Sequence, residues 1–355
     1  MGKIWWPSVV ASLALAVPAA ASSATCDRAC LLGLLDQTLA SMAKHDPSSL
    51  PLAHRYRLTV DNIPSGVVMA TPWRTITGYR KPGPGQYAVD TTQQEVAFLV
   101  LVQEGRMPAT LAGRLKVDDG KVSELELFLG RSKSDSGMQF APQDLLKLPR
   151  AWTVPVPAGT RRATRAELTQ FGMGDNSSLK GAAEECAMME NGHVVSDYVS
   201  VEAWLHMAPP DVAAESVEEM RRKNEAAHGG PIQFGCTPDS AVHADKQRRV
   251  VVDEEQGVVA TFALVNGMVV PNFLPPPGPN PEYPTAFVPY FAKDDLAWRI
   301  ETAKNPPADA SAFAEPMPAV LQVMLLVRIY DGKLQGLNRY MQAQPVGGGS
   351  PWYAQ

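Results

Sequence analysis

Apolar positions along the chain follow two different periods. Leucines at 31, 34, 35 and 39 recur at helical spacing between Leu31 and Ala43, which predicts a helix with one buried face. His45-Asp46-Pro47 ends it, because a residue before proline avoids the α region. Tyr56-Arg57-Leu58-Thr59-Val60 then alternates as a half-buried strand does. Further on, one block occurs twice in the same order. Its first copy is Val89-Asp90, Gln93 and Val96-Ala97, followed by Asp119-Gly120-Lys121-Val122 and Leu125-Glu126 with Phe128. The second is Val252-Asp253, Gln256 and Val259-Ala260, followed by Asp331-Gly332-Lys333-Leu334 and Leu337-Asn338 with Tyr340. Asp-Gly between apolar runs signals a tight hairpin, since both central residues of a type I′ turn need positive φ. Two blocks in order predict an internal duplication. A helix followed by antiparallel strands gives an α+β class.

These patterns divide the chain. Lys3 precedes an apolar run, Val9 to Ala21, that ends in small residues; it is too short for a membrane span and reads as a cleaved signal peptide over 1–24. The first unit covers 26–131, a Ser- and Pro-spaced linker 132–162, the second unit 163–345 and a tail 346–355. Gly172, Gly174 and Gly181 weaken any helix between Leu168 and Cys186, so the second unit opens with less helix than the first. Twelve prolines between 271 and 318 exclude a regular sheet there, because proline cannot donate to a ladder. That insertion either covers a pocket mouth or is a solvated spacer.

Composition narrows the function classes. With 45% apolar and 19% charged residues, the chain of 355 residues can bury a core. A net charge of -5, with only short basic runs flanked by acids, offers nucleic acid no footprint. Four cysteines in an exported chain permit disulfides in three pairings. Local pairing, Cys26 with Cys30 and Cys186 with Cys236, is the favoured one and leaves no thiol for catalysis. No metal-ligand spacing, phosphate loop, nucleophile elbow or metalloprotease motif occurs, so no metal or cofactor is expected.

His45-Asp46-Pro47, Pro51-Leu52-Ala53, Tyr56, Thr59-Val60-Asp61-Asn62, Trp73, Arg114-Leu115-Lys116-Val117 and Asp119-Gly120-Lys121 resemble an uncharacterised secreted domain family of bacteria and fungi. That family is similar to the nuclear transport factor 2-like superfamily, which includes SnoaL-like polyketide cyclases and cofactor-free lyases and isomerases. Cys186-Ala187-Met188-Met189-Glu190-Asn191-Gly192, Phe234-Gly235-Cys236 and Val252 to Gly257 resemble a related member. The resemblance implies two cone-like units, each a strongly curved antiparallel sheet with N-terminal helices around a hollow, packed as an intrachain pseudo-dimer. It implies a periplasmic or secreted protein that binds a small apolar or aromatic molecule, with cofactor-independent lyase or isomerase chemistry left open. The alternative is a non-catalytic binding or interaction module whose polar residues are structural. No membrane partner is expected after signal cleavage.

Candidate chemistry must come from side chains gathered in such a hollow. Glu124, Glu126 and Phe128 share one face of a strand and Leu125, Leu127 and Leu129 the other, which places Glu126 in a cavity or in solvent. Arg114 and Lys116 on the adjacent strand are its alternative, structural partners. Its repeat counterpart is Asn338, beside Tyr340. His45 either functions or offsets a helix dipole. The resemblance raises Glu190 and His193. With Asp61 these make the catalytic candidates His45, Asp61, Glu126, Glu190 and His193; the ligand-binding candidates are Tyr56, Trp73, Arg114, Asn338 and Tyr340. Asp253-Glu254-Glu255 reads as a solvated turn. An enzyme should bring at least two of the titratable candidates within about 4 Å of one enclosed cavity; a structural unit should fill its hollow with apolar side chains.

Overall fold

The computed structural model describes residues 2, 25–132, 140–194, 236, 246–270, 272–274, 317–345 and 349–352. The expected signal peptide and nearly all of the proline-rich insertion lie outside the described residues.

Helix α1 (Arg28–Ala43) starts where the Asp27 side chain accepts the Cys30 N–H at 2.8 Å, and it buries Leu31, Leu34, Leu35, Leu39 and Met42. The strands β1 (Leu52–Val60), β2 (Ile63–Pro64), β3 (Gly78–Tyr79), β4 (Tyr87–Asp90), β5 (Glu95–Glu104), β6 (Met107–Asp118) and β7 (Lys121–Gly130) form one sheet, with the short helix α2 (Thr71–Thr75) before β3. A one-turn helix α3 (Arg150–Thr153) and α4 (Arg165–Gly172) precede the second sheet. Its strands are β8 (Ala182–Glu190), β9 (His193–Val194), β10 (Lys246–Asp253), β11 (Val258–Val270), β12 (Asn272–Leu274), β13 (Met317–Tyr330) and β14 (Lys333–Pro345). The class is thus mixed α and β with two seven-stranded sheets.

The sheets share a connectivity. One runs β2-β1-β7-β6-β5 with β4 on β5; the other runs β9-β8-β14-β13-β11-β10. Each contains one parallel pair, β1 with β7 and β8 with β14, which an all-antiparallel expectation omits. Even the irregularities recur: β1 advances from Leu52 to Arg57 while β7 advances from Val122 to Glu124, and β8 from Ala182 to Ala187 while β14 advances from Leu334 to Gly336. Both Asp-Gly turns have positive φ at both residues, 51° and 71° at Asp119-Gly120 and 54° and 69° at Asp331-Gly332. This register makes Val60 correspond to Glu190, Asp61 to Asn191, Arg114 to Leu326, Glu126 to Asn338 and Leu127 to Arg339.

Three apolar layers result. The α1 leucines pack with Trp73, Ile76, Leu125, Leu127 and Leu129 on one face of the first sheet. Leu168 and Phe171 of α4 pack with Met188, Leu325, Leu337 and Met341 on the second. Between the sheets lie Leu99, Phe128, Met189, Phe262, Leu326 and Tyr340. The stretch expected as a linker contributes here, because Leu145 and Trp152 are buried in this middle layer.

Polar side chains join the sheets where β4 meets β10. Asp253 accepts two hydrogen bonds from Arg28 at 2.8 and 2.9 Å and the Val89 N–H at 3.0 Å. Reciprocally, Asp90 accepts from Arg165 at 2.5 Å and from the Val252 N–H at 3.2 Å. Each arginine is the first residue of the helix that covers one sheet, and each aspartate ends a strand of the other sheet at the same place in the recurring sequence block. Asp253 is therefore not the solvated turn residue its neighbours suggested: it is fully buried, whereas Glu254 and Glu255 are exposed. For Arg28, burial opposes the charge, but the hydrogen bonds and field of Asp253, with Glu255, carry the pKa above the usual guanidinium value.

Candidate functional site

Glu126 lies on the inter-sheet face of β7, opposite the leucines that face α1. It lines neither of the environments expected of it. It is fully buried against Arg114, whose Nε donates to it at 3.0 Å while one terminal nitrogen reaches Glu124 at 2.6 Å and Glu95 at 3.6 Å. Arg249 of β10 clamps the far side of Glu95 through two nitrogens. The result is a continuous ionic row, Glu126–Arg114–Glu95–Arg249, crossing from one sheet to the other. A buried carboxylate engaged this way by a guanidinium ties neighbouring strands together.

The remaining candidates scatter. Asp61 has φ 50° at the end of β1, where its N–H bonds the Leu127 carbonyl and its carboxylate accepts the Leu129 N–H at 3.0 Å. Asn191, with φ 47°, repeats this on Arg339 and Met341. Both side chains extend the parallel ladder past the strand end, a repeated device that the residue type alone did not reveal. A ring nitrogen of His45 (Nδ1) lies 2.8 Å from the Trp73 carbonyl, and the Trp73 indole donates to Ser41 at 2.9 Å, so this pair ties α1 to α2. The Tyr56 hydroxyl accepts the Val67 N–H at 3.2 Å. His193 is partly exposed, 3.6 Å from Asp144. Asn338 is fully buried between the sheets, and Tyr340 packs its ring 6.5 Å from Phe128.

Among the catalytic candidates, Glu190 and His193 are register neighbours across β8 and β9, but Glu190 bonds Arg339 and His193 lies against Asp144; Glu126 with Arg114 is the one ion pair within the whole candidate set. Among the described residues, no group of three or more His, Cys, Asp and Glu is placed to hold a metal ion. An open groove of about 420 Å³ beside α4 is lined by Gln93, Arg165, Thr169, Met173 and Arg249 among others, none of them a candidate. Arg165 there is raised by its hydrogen bond to Asp90, and Arg249 is lowered by burial.

No family model and no curated protein matches the chain. Solved structures that match a stretch of it include the crystal structure of a de novo designed protein with a curved β-sheet, at 18% identity and a TM-score of 0.24, over 29% of this chain and 88% of that one. Two disulfides form, Cys26–Cys30 and Cys186–Cys236. No described helix is long and apolar enough to cross a membrane.

The two helix-covered faces differ at one place that sequence reading only half found. On the first sheet, Val60 of β1 and Leu127 of β7 are register neighbours in the apolar layer. On the second, the corresponding neighbours are Glu190 and Arg339, paired at 2.5 Å with side chains 3% and 0% exposed. Glu190 Oε1 has no hydrogen-bond partner among the described residues. Arg339 was missed because alternation alone marks its position as apolar; only alignment of the two repeats exposes the exchange.

Proposed function

We propose that the chain is an exported, non-enzymatic binding protein whose second unit takes a small apolar or aromatic molecule bearing one polar group. Two units of the nuclear transport factor 2-like kind, each a curved sheet around a hollow, pair back to back within one chain. Their matching connectivity and the reciprocal Arg28–Asp253 and Arg165–Asp90 contacts support this arrangement. The first hollow is filled by the leucines of α1 and serves stability. The second has a helix of 8 residues where the first has 16, which leaves more of its sheet face to other contacts.

The observation that carries the reading is the replacement of Val60 and Leu127 by Glu190 and Arg339. Burying an ion pair where a hydrophobic pair of similar size fits is neutral to unfavourable for folding, so the charges suit recognition better than stability. The free Glu190 oxygen would take a hydroxyl or N–H of the ligand, with Met188, Leu325 and Met341 against its apolar body. Non-catalytic binding is favoured over lyase or isomerase chemistry because Glu126 and Glu190 are each bound to an arginine. Disulfides fit an oxidising compartment, periplasmic or extracellular.

Native mass spectrometry of protein purified from its source tests this against the double variant Glu190→Val/Arg339→Leu, which installs the first unit's own residues. The wild type should carry a small-molecule adduct and the folded variant should lose it. An adduct absent from the wild type, or retained by the variant, refutes the proposal.

A further inference from the structure

Two tryptophans that follow the two units are held in different ways. Trp152, after the first, is wedged between the two sheets: a Cβ at Gly336 of β14 or at Gly85, just before β4, would lie 2.7 Å from it, and its indole N–H has no partner among the described residues. Trp352, after the second, lies on the first unit between two cations. Its ring centroid is 4.2 Å from the Arg57 guanidinium and 4.5 Å from that of Arg114, and its Nε1 donates to Thr59 Oγ1 at 2.9 Å. Arg57 also donates to the Pro351 carbonyl.

The Arg114 side of that cradle is held by partners outside the tail. Arg114 is held by Glu124, Glu126 and Glu95, and Thr59 is a fully buried residue of β1. The positions that correspond to Arg57, Thr59 and Arg114 on the second sheet are Ala187, Met189 and Leu326. At Trp152 the nearby cation, Arg328, donates to the Ala151 carbonyl at 2.7 Å and lies over the Tyr330 ring, so that indole is seated without a guanidinium over its face among the described residues. Guanidinium planes over an aromatic face together with a hydroxyl acceptor at the ring N–H are a recognition chemistry for donor-bearing aromatics.

We propose that Arg57, Arg114 and Thr59 form a second binding site, distinct from the hollow of the second unit, for a planar aromatic with a ring N–H or O–H donor, and that Trp352 occupies it as a tethered self-ligand. A tethered ring acts at an effective concentration of about 1 mM or more. Free aromatics therefore compete poorly with it until the tail is released.

Binding of 5-fluoroindole, followed by ¹⁹F NMR, tests the proposal on the full-length protein. Trp352→Ala should bind the probe saturably and at least tenfold more tightly than the wild type, and Trp352→Ala/Arg57→Ala should lose that gain. Glu190→Val/Arg339→Leu should leave wild-type behaviour at this site unchanged, which separates it from the hollow. Should Trp352→Ala fail to fold, hydrogen exchange on the wild type decides: saturating probe should speed exchange in 349–352. No saturable binding to folded Trp352→Ala, equal affinity with and without Trp352, or unaltered exchange of the tail would each overturn it.

Discussion

Replacing Asp253 by asparagine removes one charge at the seam while keeping size and shape. In the wild type, Asp253 Oδ1 accepts from Arg28 and from the Gln256 N–H, and Oδ2 accepts from Arg28 and from the Val89 N–H. Whichever oxygen becomes an NH2 then faces two donors, and Arg28, whose side chain is 19% exposed, loses its buried counter-charge. Breaking a buried pair by removing one partner costs about 3–5 kcal/mol, and the partial exposure of Arg28 puts the expectation near the lower end, about 3 kcal/mol. Asp90→Asn disrupts the reciprocal pair, but Arg165 is 29% exposed, so about 2 kcal/mol is expected. Urea unfolding at neutral pH measures both. A cycle with Arg28→Met should return a coupling of at least ~1.5 kcal/mol, in the range of groups in direct contact. A loss below about 1 kcal/mol for Asp253→Asn, or additivity with Arg28→Met, would show that the seam does not hold the halves together as argued.

Other outcomes follow from the same physics. Removing Cys186–Cys236 as a serine pair should cost about 4 kcal/mol and removing Cys26–Cys30 about 2, because the loops they close span 50 and 4 residues; chemical unfolding of the two variants should reproduce that order. Leu35→Ala, at a fully buried site under the first sheet, should cost about 2–5 kcal/mol by the same assay. Asp175 is held down to about 2 by the Ser177 hydroxyl, the Gln170 amide and the Ser177 N–H. With its pKa depressed on folding, it stabilises fully above about pH 4 and loses that contribution as pH falls through about 2, so an NMR titration should find its carboxyl still ionised at pH 3. A midpoint near the ordinary aspartate value would contradict the turn geometry around it.

Much of the architecture was legible because it is written in local periodicity. The leucine spacing of α1, the Asp-Gly turns and the doubled block depend on steric rules that act over a few residues, and the structure contains all three. The weaker second helix was equally readable from its glycines. Alternation also separated Glu126 correctly from the leucines of β7. What it could not supply was the identity of the surface opposite, since solvent, a cavity and a second sheet impose the same period on a strand.

The two parallel pairings likewise join strands that are far apart in sequence, where no turn fixes the register. The site residues illustrate the same divide. His45 and Asp61 are catalytic candidates and Tyr56 and Trp73 ligand-binding candidates by sequence, and the structure shows each of them holding neighbouring segments together. By itself the sequence determined the recurring block, its two Asp-Gly turns, the first helix and the cysteines available for bridging. Tertiary structure alone decided that Asp90 and Asp253 cross-pair, that Glu126 is locked by Arg114, and that Glu190 meets Arg339 where the other unit has valine and leucine. Period is a property of neighbouring residues, whereas charge pairing and burial depend on which distant surfaces the fold brings within a few ångströms.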